Sequence, residues 1–139
     1  MNPRKEAAPG LTIGALARAA GVPVETVRYY QRIGLIEEPP RPTQGYRRYP
    51  EAAVGRIRFI KRAQRLGFTL REIGELLTFD SRGCEEARRI AEARQAEIQR
   101  RIADLNAMHK ALERLIEGCR RPGARHGGCA IIDTLRRRD

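Results

Sequence analysis

CEEARRIAEARQAEIQRRIADLNAMHKALERLIEGC, residues 84–119, is the stretch that decides the fold. One of its heptad positions reads Cys84, Ala91, Ile98, Leu105, Leu112, Cys119. Both thiols therefore lie on one apolar stripe of a single long helix, separated by whole heptads, and the stripe reads as a dimer seam. At 1.5 Å rise per residue, the two cysteines stand roughly 52 Å apart, too far for one chain to close a metal site with this pair. A parallel partner would set like cysteine beside like. An antiparallel partner would set Cys84 of each chain beside Cys119 of the other, at both ends of the pair.

The chain of 139 residues has room for one compact domain, or for a small domain joined to an extended helix. With no Trp, 4 Tyr, 3 Phe and 32% charged residues, it holds little material for a large core, so two modules sharing a dimer interface fit better. The formal net charge of +11 favours a polyanionic partner, DNA or RNA first. The excess is spread over both halves and does not by itself locate the binding face. No apolar run approaches the ~20 residues of a membrane span, and the N-terminus lacks the apolar core of a signal peptide. A cytoplasmic protein is expected, whose three cysteines stay reduced and available as thiolate ligands; an odd count does not suggest a disulfide framework.

Upstream of the long helix the pattern changes several times. Residues 1–10 (MNPRKEAAPG) lack apolar periodicity and predict a mobile tail. Thr12 can cap a first helix with Ile13, Leu16, Ala17 and Ala20 on one face and Gly21 at its end. A turn through Val22 and Pro23 leads to a second helix from Val24 to Ile33, stopped by Gly34. Helix, Gly-containing turn and helix make a helix-turn-helix, whose second helix enters the major groove. The segment LIEEPPRPTQGYRRY follows, where Pro39, Pro40 and Pro42 forbid a helix and Gly45 offers a turn between two short extended pieces. It reads either as a small β-wing gripping phosphate through Arg41, Tyr46, Arg47, Arg48 and Tyr49, or as a solvated loop. Interleaved arginines and aromatics directly after a helix-turn-helix favour the wing.

Pro50 opens a third helix with Ala53, Val54, Ile57, Ile60 and Ala63 inward, ending near Gly67. Thr69 and Glu72 are spaced as a capping box for a fourth, with Ile73, Leu76 and Leu77 on its apolar face. Phe79 to Gly83 reads as a linker. Beyond Cys119, RRPGARHGG is a loop leading to Cys129, and Ala130 to Leu135 suit a short terminal helix with a solvated basic tip at Arg136 to Arg138. The predicted organisation is a tail (1–10), a DNA-binding domain (11–80), a linker and dimerisation helix (81–119), and a metal-binding loop with a short helix (120–139).

Three passages together resemble the MerR family of transcription regulators: TIGALARAAGVPVETVRYYQRIGLI, GYRRY and GFTLREIGELL. CEEA at 84–87, ADLNAM at 103–108 and the third cysteine at 129 make the chain most similar to the family's mercury-responsive subgroup. The fold expected is mainly α, a winged helix-turn-helix followed by a long antiparallel dimerisation helix. The resemblance implies a homodimer on a palindromic operator, repressing and activating with RNA polymerase by distorting DNA when metal binds.

On the second helix, Glu25, Thr26, Arg28, Tyr29 and Arg32 occupy the face left once Val27, Tyr30 and Ile33 turn inward. Arg28 is the expected base reader, since a guanidinium can bond O6 and N7 of guanine. The resemblance carries DNA contact onto Arg28, Tyr29, Tyr46 and Arg47, and phosphate contact onto Arg18 and Arg41. It also implies a trigonal Hg(II) site of Cys84 from one chain with Cys119 and Cys129 from the other; soft thiolates select such an ion. Nearby arginines at 82, 88, 120 and 121 could lower the thiol pKa values. Spacing alone leaves Cys84 as a small seam residue and Cys129 as a loop thiol. Pb(II), Cd(II) or Zn(II) at the same positions are alternatives, with His126 able to complete a Cys₃His zinc site. His109 is expected to pack beside the seam. A thiol redox sensor would leave the helix-turn-helix unexplained. An enzyme is not expected, since the histidines lie apart from any catalytic arrangement and no Gly-rich phosphate cradle occurs. Nor is the larger C-terminal ligand domain of drug-sensing relatives.

Overall fold

The computed structural model describes residues 10–121 and 128–137. The tail expected over 1–10 lies outside the described residues apart from Gly10, as do His126, with most of its loop, and Arg138. Among the described residues six helices follow one another: α1 (Ile13–Ala20), α2 (Val24–Arg32), α3 (Ala52–Arg65), α4 (Leu70–Leu76), α5 (Cys84–Arg120) and α6 (Ala130–Arg136). Among the described residues none of these is long and apolar enough to cross a membrane. The chain divides into two units, one ending at Ile90 and one starting at Ala91.

In the first unit the expected caps form. Thr12 Oγ1 accepts the N–H of Ala15 at 3.2 Å, and Gly21, at φ 71° and ψ 35°, closes α1 with its own N–H on the last carbonyls. Pro23, with φ fixed near the helical value, then leads into α2. Leu16, Val27, Ile57, Ile60 and Ile73 are fully buried, one or two from each helix, and pack around Tyr30. Burying each aliphatic side chain contributes about 1.5–3 kcal/mol. Three polar ties bind the third helix to what precedes it. Tyr30 donates its hydroxyl to Gln64 at 2.7 Å, Arg56 donates to the Leu35 carbonyl at 2.6 Å, and Arg58 to the Ala19 carbonyl at 2.8 Å. The capping box at Thr69 and Glu72 is present on α4.

Two expectations need correction here. Ile33 does not turn inward, because α2 ends at Arg32 and Gly34, at φ 82°, redirects the chain; Leu35 and Ile36 take the buried places and Ile33 stays exposed. The wing is not built from strands: between α2 and α3 the described backbone is irregular, and its one sheet-like pairing is an isolated antiparallel bridge from Tyr49 to Leu11. The reason is local, since Pro39, Pro40 and Pro42 have no N–H to offer a ladder.

The long helix α5 begins in the first unit and continues through the second; it buries none of its residues, and its seam is bare in the single chain, with Ile98, Leu105, Met108 and Leu112 all exposed. Some of its arginines pair along the helix: Arg100 and Arg101 both pair with Glu97, three and four residues away. His109 is not packed in this chain; its imidazole is 73% exposed and faces Glu113 at 3.5 Å.

Candidate functional site

The first candidate face is built on α2. Val27 and Tyr30 anchor one side of that helix in the core, which turns Arg28 and Tyr29 outward. The Arg28 guanidinium is held by Glu25 at 3.0 Å one turn earlier, and Arg32 lies 6.0 Å from the centre of the Tyr29 ring. Beside them opens a groove of about 760 Å³, whose lining includes Thr12, Arg28, Gln31, Arg32, Tyr46 and Arg47. The fold thus brings together three of the expected contacts, Arg28, Tyr46 and Arg47. Thr26 and Tyr29 share the same helix but do not line the groove; Arg41 lines a separate hollow of the wing with Tyr46, and Arg18 is exposed in the last turn of α1.

Arg47 has a second occupation that its sequence context did not suggest. Its Nε donates to the Pro39 carbonyl at 3.1 Å and its guanidinium pairs with Glu38 at 3.2 Å, so it closes the wing loop on itself. Gln31 and Arg32 also belong to the groove. The signal for them was the helical spacing from Arg28, which puts positions three and four residues later on the same face.

The second candidate is a thiol cluster. Cys119, in the last turn of α5, and Cys129, the residue capping α6, bring their sulfurs to 4.0 Å within one chain. Two thiolates sharing one ion at ~2.3 Å with ~120° between the bonds would lie roughly 4 Å apart, so this pair fits two arms of a trigonal soft-metal site. Cys84 opens the same 37-residue helix that Cys119 nearly closes. Accordingly, no group of three or more His, Cys, Asp or Glu ligands assembles among the described residues of a single chain.

The thiol of Cys129 is shifted below the ordinary range, first by the backbone N–H of Ile132 and then by that of Ile131, which favour the thiolate as the first turn of α6 begins. Arginines were the expected cause and are not its source. Arg82 is engaged by Asp80 at 3.1 Å and Arg88 by Glu85 at 2.6 Å.

Comparison with known proteins places the chain in one family. Residues 11–80 match the family described as "MerR HTH family regulatory protein", and residues 54–115 the one described as "MerR, DNA binding". The chain is 49% identical over 128 residues to the mercuric resistance operon regulatory protein of Pseudomonas fluorescens, covering 90% of this chain and 87% of that one. Two solved structures are similar over most of the chain. A lead(II)-bound transcription regulator from Ralstonia metallidurans has a TM-score of 0.76 at 32% identity, covering 90% of this chain and 98% of that one. A mercury(II)-bound transcriptional regulator from Bacillus megaterium has a TM-score of 0.71 at 38% identity, covering 91% and 100%.

Proposed function

The chain belongs to the MerR family of helix-turn-helix regulators, and from that premise we propose that it is a mercury-responsive transcription regulator of this family. It acts as a homodimer on a palindromic operator. The observation that carries this reading is the 4.0 Å approach of Cys119 and Cys129, two soft ligands already at the spacing of a shared ion, in a chain that also carries a basic reading helix. Similarity to mercuric resistance regulators and to a mercury-bound structure supports Hg(II) as the effector. Lead(II) is the second reading, supported by the lead-bound relative.

The third ligand is the partner's Cys84, brought alongside by antiparallel pairing of two α5 seams; bound metal supplies the bridge that joins the chains at each end. Each chain's own residues do the rest. Arg28 reads guanine, with Thr26 and Tyr29 beside it, while Arg18, Arg41, Tyr46 and Arg47 hold phosphates. The working division is a reading head over 11–80, a linker and seam over 81–119 and the metal loop over 120–139. Metal shifts the dimer towards the conformation that binds it more tightly, and this changes the separation of the two heads. The DNA is distorted so that RNA polymerase can use the promoter, in the cytoplasm where thiols stay reduced.

Transcription from a cognate promoter, measured against a panel of metals with each cysteine replaced by serine in turn, tests the proposal. Induction by Hg(II) that any one of Cys84→Ser, Cys119→Ser or Cys129→Ser abolishes is the expected result. Induction by lead(II) but not Hg(II) supports the second reading, and induction that survives loss of Cys84 removes the three-thiolate site. In an operator-binding assay with base-substituted operators, Arg28→Ala lowers affinity and relaxes base preference. If neither changes, α2 is not the reading helix.

A further inference from the structure

We propose that Gln31 is an additional DNA-backbone contact, and that the buried hydroxyl of Tyr49 orients its amide so that the NH2 is the end offered to DNA. The inference rests on the reading of α2 as the DNA-reading helix. Tyr49 is 2% exposed and cannot shift, because its backbone exchanges two 2.8 Å hydrogen bonds with Leu11 at the entrance to α1. A phenol O–H in such a place needs an acceptor, and it donates to Oε1 of Gln31, 18 residues away in the sequence. With that oxygen engaged, the amide nitrogen is the free end of the side chain. Gln31 is half-buried, lines the groove with Arg28, Arg32, Tyr46 and Arg47, and its nitrogen has no hydrogen-bond partner among the described residues.

The chemistry of the group then selects its target. A free glutamine reads adenine by accepting from N6 while donating to N7, a pairing that needs the oxygen as well as the nitrogen. In Gln31 the oxygen is turned toward Tyr49 with one lone pair engaged, so the unpartnered amide NH2 is the group offered to DNA, and the partner of that group is an acceptor. Its position chooses among acceptors. The first residues of a recognition helix reach base edges, whereas Gln31 is the last but one of α2, beside the cationic wing, where the acceptors are phosphate oxygens. The Tyr49 hydroxyl is thus a positioning group that joins wing, α1 and reading helix in one junction, and Gln31 is the neutral phosphate donor it sets.

Operator affinity measured over a range of salt concentrations tests this with the full-length dimer. Gln31→Ala should weaken binding roughly tenfold per half-site, and so about a hundredfold for the dimer, as loss of one hydrogen bond to a charged group in each chain does, at every salt concentration. The slope of log K against log salt should stay unchanged, because a neutral donor releases no counterion; Arg47→Ala, which removes one phosphate contact from each chain of the dimer, should lower it by about 1.8. Gln31→Glu, which keeps the acceptor for Tyr49 but replaces the donors with a charge, should weaken binding more. Tyr49→Phe should lose part of the same affinity, and adding Gln31→Ala to it should cost less than Gln31→Ala costs in the native chain. A purely structural Tyr49 would lower stability and leave the two effects additive. Native operator affinity in Gln31→Ala and Gln31→Glu overturns the inference whatever becomes of Tyr49→Phe. If Arg28→Ala still weakens binding in that case, the reading helix stands and Gln31 alone is misassigned; if it does not, both fail.

Discussion

The Cys129 sulfur is activated by what surrounds it within its own turn of chain, and a measurable consequence follows. Since the N–H groups of Ile132 and Ile131 lower its pKa, the thiolate persists at pH values where an ordinary thiol has taken up its proton. Alkylation of the metal-free protein by iodoacetamide, followed by mass spectrometry across pH, should show Cys129 modification rising through a midpoint below that of free cysteine. A midpoint at or above the free value would contradict the described start of α6. Such tuning could not be read from the sequence, where the neighbouring arginines drew attention and the backbone donors were invisible. Arg47 teaches the same lesson: GYRRY marked it as a phosphate contact, yet its bonds to Glu38 and Pro39 come from the path of the loop.

Helices whose ends are encoded locally were legible, and α4 is the plainest case. The Thr69 hydroxyl accepts the N–H of Glu72 at 3.1 Å while the Glu72 carboxylate accepts the N–H of Thr69 at 3.0 Å, with Thr69 exposed and Glu72 half-buried. Thr69→Ala should therefore destabilise the protein by about 1 kcal/mol, and Thr69→Ser, which keeps the hydroxyl, should stay close to native. Urea denaturation followed by circular dichroism reads both; equal midpoints for alanine and serine would mean the box adds nothing. The wing was legible as an interruption but not as a shape. Prolines announce where a helix cannot run, whereas the partner of Tyr49 proved to be Leu11, a residue ahead of α1 that no pattern within the loop could indicate.

For the whole molecule, the proposed three-thiolate site requires that each metal be shared between two chains, since Cys84 and Cys119 stand at opposite ends of α5. Mixed dimers test it. A chain carrying Cys84→Ser paired with a chain carrying Cys119→Ser and Cys129→Ser should retain one complete three-thiolate site, and each homodimer of these variants should retain none. Mercury titration with thiolate absorption counts the sites. Binding by the Cys84→Ser homodimer equal to that of the native protein would show that the partner's thiol is not needed.

The sequence by itself determined the helices, most of their caps, the exposed basic face around Arg28 and the heptad stripe from Cys84 to Cys119, because each is written within a few turns of chain by periodicity, capping and charge. The stripe also showed that one helix cannot bring its own terminal thiols together. Tertiary structure alone decided that Cys119 and Cys129 meet at 4.0 Å, that Ile33 yields its buried place to Leu35 and Ile36, and that Tyr49 holds Gln31. Those outcomes depend on how the backbone turns after a helix ends, and a turn of a few residues can send a side chain to partners that sequence spacing does not specify.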